Sequence, residues 1–197
     1  MKTAIIDYDA GNLANVVRAA TRAGLDVVVT RDPAEIRNAG ALVLPGVGAM
    51  KDAMDHLDGY GLTDLIREEV KKGKKLVGIC LGMQALYEES EEYGHIKALG
   101  LLPGRIVRFP EGKLKVPHMG WNELVIHRPH EVVEGLPPHS YVYFVHSYYK
   151  VPGDTEDVIA SADYGVTVPA VVGKDNVLGF QFHPEKSGKV GMAIWDR

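Results

Sequence analysis

The chain has one cysteine among its 197 residues. An internal disulfide is therefore excluded, and a structural zinc site built on cysteines lacks its ligands. The eight histidines are scattered. No His-x-x-x-His or Cys-x-x-Cys spacing gathers metal ligands, so neither a metal nor a cofactor is expected. Positive charge is not in excess: 22 Lys and Arg against 26 Asp and Glu give a net charge of −4. That balance offers no electrostatic footing for nucleic acid or for an anionic membrane. No apolar run is long enough to span a bilayer. The opening Met1-Lys2-Thr3-Ala4-Ile5-Ile6-Asp7-Tyr8 meets an acid at once, lacks a leader's apolar stretch, and reads as a first strand. A lone thiol without a leader suits the reducing cytoplasm. Repeats and low-complexity segments are missing too.

What is present is ordinary for a folded protein, with 46% hydrophobic and 24% charged residues, and one domain over residues 1–197 is expected. In the first half, short apolar runs alternate with amphipathic stretches. Lys2–Tyr8, Leu25–Thr30, Ala41–Leu44 and Lys75–Ile79 read as strands. Leu13, Val16, Val17, Ala20 and Ala23 recur at helical spacing before Gly24. Asp32-Pro33-Ala34-Glu35 has the form of a capped helix start, and Leu62, Leu65, Ile66 and Val70 mark a further helix closed by Gly73. Strands alternating with helices predict an open, mostly parallel α/β sheet with helices on both faces, its sites in loops beyond the carboxyl ends of the strands. After about Gly100 the pattern turns to β structure. Arg105–Phe109, Leu114–Val116, Glu123–His127, Tyr141–Tyr149, Val158–Ala162, Ala170–Val172 and Val177–Phe182 are expected to add antiparallel strands. The acidic cluster Glu88-Glu89-Ser90-Glu91-Glu92 reads as solvated surface near a helix end.

Two segments carry chemistry. Gly78-Ile79-Cys80-Leu81-Gly82 follows an apolar strand and precedes a helical stretch, Leu81–Glu88. This is the layout of a nucleophile elbow, where a sharp turn exposes the thiol and a helix N-terminus favours its thiolate. The Leu81 N–H is placed to donate to an oxyanion. In Gln181-Phe182-His183-Pro184-Glu185 an extended chain would let His183 and Glu185 point the same way. A histidine oriented by an acid is what a thiol nucleophile needs. Taken alone, each segment has a plainer reading, a buried structural cysteine and a surface turn. Only the fold can bring the two together.

Together these segments resemble the triad (class I) glutamine amidotransferases: Gly78-Ile79-Cys80-Leu81-Gly82-Met83-Gln84 with Phe182-His183-Pro184-Glu185, and Pro45-Gly46-Val47-Gly48 in the place of that family's oxyanion loop. The resemblance spans nearly the whole chain. Pro117-His118-Met119-Gly120-Trp121-Asn122, Tyr143-Phe144-Val145-His146-Ser147-Tyr148-Tyr149 and Asp9-Ala10-Gly11-Asn12-Leu13 are most similar to the glutaminase subunits of imidazole glycerol phosphate synthase. The resemblance implies a Cys80-His183-Glu185 triad acting on L-glutamine and an oxyanion hole from the N–H groups of Val47 and Leu81. It further implies substrate contacts from Gly46, Gly48, Gln84, Ser147 and Tyr148. It implies a (β/α)8-barrel cyclase subunit as heterodimer partner, with Asn12, Asn15, Arg18, Met119, Trp121 and Tyr143 at the interface. His146 is expected to play a structural part. Three rivals stay open at this point: another triad amidotransferase, a noncatalytic binding subunit that keeps the fold, and a cysteine hydrolase on a related α/β fold.

Overall fold

A computed structural model describes residues 1–151 and 156–197. The elements run, in order, β1 (Thr3–Ile6), α1 (Leu13–Arg22), β2 (Val27–Thr30), α2 (Pro33–Asn38), β3 (Ala41–Leu44), α3 (Met50–Gly59), α4 (Leu62–Lys71), β4 (Lys75–Ile79) and α5 (Leu81–Gln84). Short strands follow: β5 (Glu89–Ser90), β6 (Ile96–Lys97), β7 (Arg105–Arg108), β8 (His118–Glu123), β9 (Val125–Ile126), β10 (Tyr141–His146) and β11 (Tyr148–Lys150). The chain closes with β12 (Val158–Asp163), β13 (Thr167–Lys174), β14 (Val177–Phe180) and α6 (Gly188–Trp195). No helix among the described residues is long and apolar enough to cross a membrane.

The main sheet has eight strands in the order β2-β1-β3-β4-β14-β13-β12-β9. Neighbours from β2 to β14 are parallel; β13, β12 and β9 extend the sheet antiparallel. The central strands are apolar throughout because both faces are covered. Ala4, Ile6, Leu42, Leu44 and Leu76 pack against α2, α3 and α4, while Ile5, Val43 and Ile79 point the other way, toward Val16 of α1 and Trp195 of α6. Local signals match this plan. Asp32 accepts from the Ala34 N–H ahead of α2, and α1 ends with the Gly24 and Leu25 N–H groups returned to the Thr21 and Ala20 carbonyls.

Several expected elements differ. Helix α3 lies beyond those expected, although Met50, Ala53, Met54 and Leu57 are its buried residues at helical spacing. The helix after Cys80 stops at Gln84 rather than Glu88, because the next residues turn back to start β5. Leu114–Val116 is not a strand; pairing begins at His118, where β8 meets β10. The run Tyr141–Tyr149 breaks at Ser147 into β10 and β11, which join different sheets, β10-β8 and β11-β7-β5-β6. The acidic cluster is not simply solvated: Ser90 and Glu92 are buried, and the carboxylates of Glu88, Glu91 and Glu92 accept from the N–H groups of Gly104, Arg108 and Met50.

Candidate active site

Strands β3, β4 and β14 are adjacent and parallel, so the loops at their carboxyl ends converge. Pro45–Gly48 follows β3, Cys80 follows β4, and His183 and Glu185 follow β14. Residues a hundred apart in sequence are locked together by the Cys80 N–H, which donates to the Phe180 carbonyl at 2.7 Å.

Cys80 turns the chain from strand to helix with φ 54 and ψ −111, a conformation a non-glycine residue adopts only under constraint. The constraint is close packing. A Cβ at Gly82 would lie 1.8 Å from the Leu44 carbonyl oxygen, and one at Gly46 would lie 2.3 Å from the Tyr8 hydroxyl. That hydroxyl donates to the Pro45 carbonyl and holds the loop after β3 against the elbow. Helix α5 has only four residues, so it lends the thiol no long helix dipole.

His183 Nδ1 is 2.7 Å from Glu185 Oε1, with both side chains buried. A 3₁₀ turn, Pro184–Lys186, brings Glu185 under the imidazole; the expected extended chain is not what aligns them. The Ser187 hydroxyl donates to the His183 carbonyl and tightens the turn. His183 Nε2 is buried without a partner of full hydrogen-bond geometry. It nonetheless lies close enough to Cys80 for the thiol to act on it. Burial would lower the His183 pKa, but the neighbouring Cys80 sulfur and the Glu185 carboxylate prevail and raise it to about 9.

The thiol opens on a cavity of about 550 Å³ lined by Val47, Gly48, Leu81, Gln84, Ser147 and Tyr148. Gly46 is buried beneath it. The Leu81 N–H donates to the Gly46 carbonyl at 3.2 Å. In a trans peptide the Val47 N–H then points away from the elbow, so one expected oxyanion donor is occupied and the other is turned aside in this state. Gln84 uses its amide nitrogen inward, toward the Tyr148 carbonyl at 2.9 Å and Gln181 Oε1 at 3.0 Å. Three residues around the site escaped sequence reasoning, two in the cavity wall and one behind the thiol. Gln181, fully buried, directs Nε2 at the Cys80 sulfur at 4.0 Å. Glu92 and Arg108 supply the cavity's carboxylate and guanidinium among the described residues. Glu92 lay hidden in an acidic run, and Arg108 in an unremarkable strand.

The residues expected at a partner surface lie nearby. Met119 and Trp121 are 61% and 53% exposed on β8, and Trp121 meets half-buried Tyr143 of β10 at 5.8 Å between rings. Asn12, just ahead of α1, and Arg18 on it are exposed, with Asn15 half-buried in the helix between them. The Tyr143 N–H donates to Ser187 Oγ, tying this ribbon to the turn that carries Glu185.

Residues 4–194 match the family model for glutamine amidotransferase class-I. The chain is 54% identical to the imidazole glycerol phosphate synthase subunit HisH of Geobacillus thermodenitrificans, over 98% of this chain and 92% of that one. It is 51% identical to the subunit of the same name from Bacillus subtilis, over 96% and 92%. Among solved structures, a glutamine amidotransferase superposes with a TM-score of 0.76 at 23% identity, covering 96% of this chain and 94% of the other. PurLQS from Thermotoga maritima gives 0.73 at 18% identity, covering 98% and 95%. These two likenesses speak for the fold; the sequence matches speak for kinship, and by them the chain belongs to the class I glutamine amidotransferases, in the branch of the HisH subunits of imidazole glycerol phosphate synthase.

Proposed function

We propose that residues 1–197 work as one glutaminase domain that hydrolyses L-glutamine and passes ammonia to a cyclase subunit. The observation that carries this is His183, its Nδ1 held by Glu185 and its Nε2 left open beside Cys80. His183 takes the thiol proton, and Sγ adds to the side-chain amide carbon. The C–N bond then breaks, the imidazolium proton passes to the leaving nitrogen, and ammonia departs from a γ-glutamyl thioester. Water, deprotonated by His183, adds to the thioester; the C–S bond breaks and glutamate leaves. Glu185 fixes the imidazole's tautomer and stabilises its charged form.

The tetrahedral oxyanion needs the N–H groups of Val47 and Leu81. Turning the Gly46–Val47 peptide over would free Leu81 and point Val47 inward, and Gly46, which begins that peptide without a Cβ, lowers the steric cost of the rotation. The chain would thus idle until something turns the peptide. Ser147, Tyr148 and the Gln84 oxygen would hold the amino-acid end of glutamine. Glu92 is suited to its ammonium group and Arg108 to its carboxylate, by charge alone.

For the partner, a (β/α)8-barrel cyclase subunit in a heterodimer is the reading that kinship with the HisH subunits of imidazole glycerol phosphate synthase supports. The face formed by Met119, Trp121, Tyr143, Asn12, Asn15 and Arg18 would dock it, at the site's edge, with the reaction in the cytoplasm. The test is glutamate release from L-glutamine by the chain alone, then with an imidazole glycerol phosphate synthase cyclase subunit and its nucleotide ligand. Strong stimulation, abolished by Cys80→Ala in a normally folded chain, is the expected result. Activity that ignores the cyclase would assign the chain to another synthase, and turnover retained by Cys80→Ala would remove the thiol mechanism.

A further inference from the structure

Beside the cavity two histidines touch. His146 is 7% exposed and His118 fully buried, and His118 Nδ1 lies 3.0 Å from His146 Nε2. Their outer nitrogens meet groups that fix the protons. His146 Nδ1 is 2.7 Å from the Tyr148 carbonyl, which only accepts. Asn122 donates through Nδ2 to the Asp163 carbonyl at 3.0 Å, which turns its Oδ1 toward His118 Nε2 at 2.7 Å. Both ends of this chain are backbone carbonyls, so the polarity of every link is determined. Each outer nitrogen must carry a hydrogen. Two neutral rings have no more to give, and their inner nitrogens would then face each other lone pair to lone pair. A third hydrogen turns that contact into a charge-assisted N–H···N bond.

The surroundings suit a cation. His118 is sandwiched between the rings of Tyr164, 3.9 Å away, and Phe144, 4.7 Å away, and Phe109 lies 5.2 Å from His146. Both flanking rings lie nearly parallel to His118 and present their faces to it. The ionisable groups around the pair are Cys80, His183 and Glu185 on the triad side, Glu92 and Arg108 across the cavity, and Tyr149 and Tyr164 in the aromatic packing. Burial, with the charges of His118 and His183 and against the upward pull of the Tyr148 carbonyl, brings His146 down to about 3, and burial lowers His118 too. Sharing one proton across a hydrogen bond, under two aromatic faces, is what opposes this.

We infer that His118 and His146 share one extra proton as a buried imidazole–imidazolium pair, which positions the Ser147–Tyr148 wall of the cavity and holds a positive charge beside Cys80. The wall is linked to the thiol through hydrogen bonds already given: the Tyr148 carbonyl receives both His146 and Gln84, Gln84 reaches Gln181, and Gln181 reaches the sulfur. The pair contributes by positioning.

Nitrogen-15 NMR of the full chain with ring-labelled histidine, at neutral pH, counts the hydrogens. Three N–H groups on the pair, with coupling between the inner nitrogens, are expected. Asn122→Leu removes the acceptor that forces a hydrogen onto His118 Nε2, so the count should fall to two with the inner bond kept; Asn122→Asp keeps an acceptor and should keep three. Two hydrogens in the wild-type chain, or the same count in both variants, would overturn the inference. With the cyclase subunit present, Asn122→Leu should raise KM for glutamine about tenfold, against about twofold or less for Asn122→Asp. Equal KM values would remove the positioning role. The KM comparison rests on the glutaminase reading, whereas the proton count does not.

Discussion

His183 joins the chemistry of this protein to its stability. Its pKa is raised from 6.5 to about 9, so the folded chain binds that proton more tightly than the unfolded chain does. The stabilisation is complete below 6.5 and is lost as pH climbs through about 9. The advantage of the wild-type chain over His183→Gln in thermal unfolding should therefore shrink across that window. Cys80→Ala, which removes one of the groups raising His183, should move the loss to lower pH. An advantage that stays flat with pH would deny the proton linkage. Glu92 yields a second test. Glu92→Gln keeps an oxygen for the Met50 N–H but removes the charge proposed to meet the ammonium group. A charge-assisted bond of about 1.5–3 kcal/mol corresponds to a KM for glutamine raised roughly ten- to a hundredfold. An unchanged KM would take Glu92 out of the pocket's chemistry. At this scale Cys80, His183 and Glu185 were legible because each sits in a short motif with its own mechanical logic. Glu92 and Gln181 were not, since an acid in an acidic run and a glutamine just past a strand carry no local mark of the cavity or of the thiol they meet.

The elements owe their precision to close backbone approach. Gly82 lies against the carbonyl of Leu44, a backbone atom that cannot swing aside. Gly82→Ala should therefore cost about 3 kcal/mol, or roughly 6–12 °C of thermal midpoint, measurable by calorimetry. A loss within the noise of a surface substitution would mean that the elbow can relax. The strands of the parallel core were legible because their residues are apolar on both faces, as in Ala41–Leu44 and Lys75–Ile79. The second half was less so. Val, Tyr and Phe mark Tyr141–Tyr149 as extended, yet nothing local says that the chain changes sheets at Ser147. Helix α3 was legible in principle, by its apolar period, and α5 was overextended because no sequence signal anticipates the pairing of Glu89 with Arg105.

For the whole molecule, one edge collects both the triad and an exposed aromatic face. Trp121 and Tyr143 are cross-strand partners in a ribbon separate from the main sheet. An exposed Trp beside a Tyr on such a ribbon has the make-up of an interface hot spot. Trp121→Ala should weaken binding of the cyclase subunit by about 2 kcal/mol, roughly thirtyfold in Kd, by titration calorimetry. A Kd within about twofold of wild type would place the interface elsewhere.

Composition, strand and helix periods, and three separated motifs determined the class of fold and singled out Cys80, His183 and Glu185 as the residues proposed for the chemistry, because each is written in a few consecutive side chains. The tertiary structure decided what depends on residues far apart. It set the order of β3, β4 and β14 that joins Cys80 to His183, the Gly46 carbonyl on the Leu81 N–H, and the proton polarity running from Asp163 through His118 and His146 to Tyr148. Hydrogen-bond direction is fixed by partners in space, and sequence lists those partners without saying which of them meet.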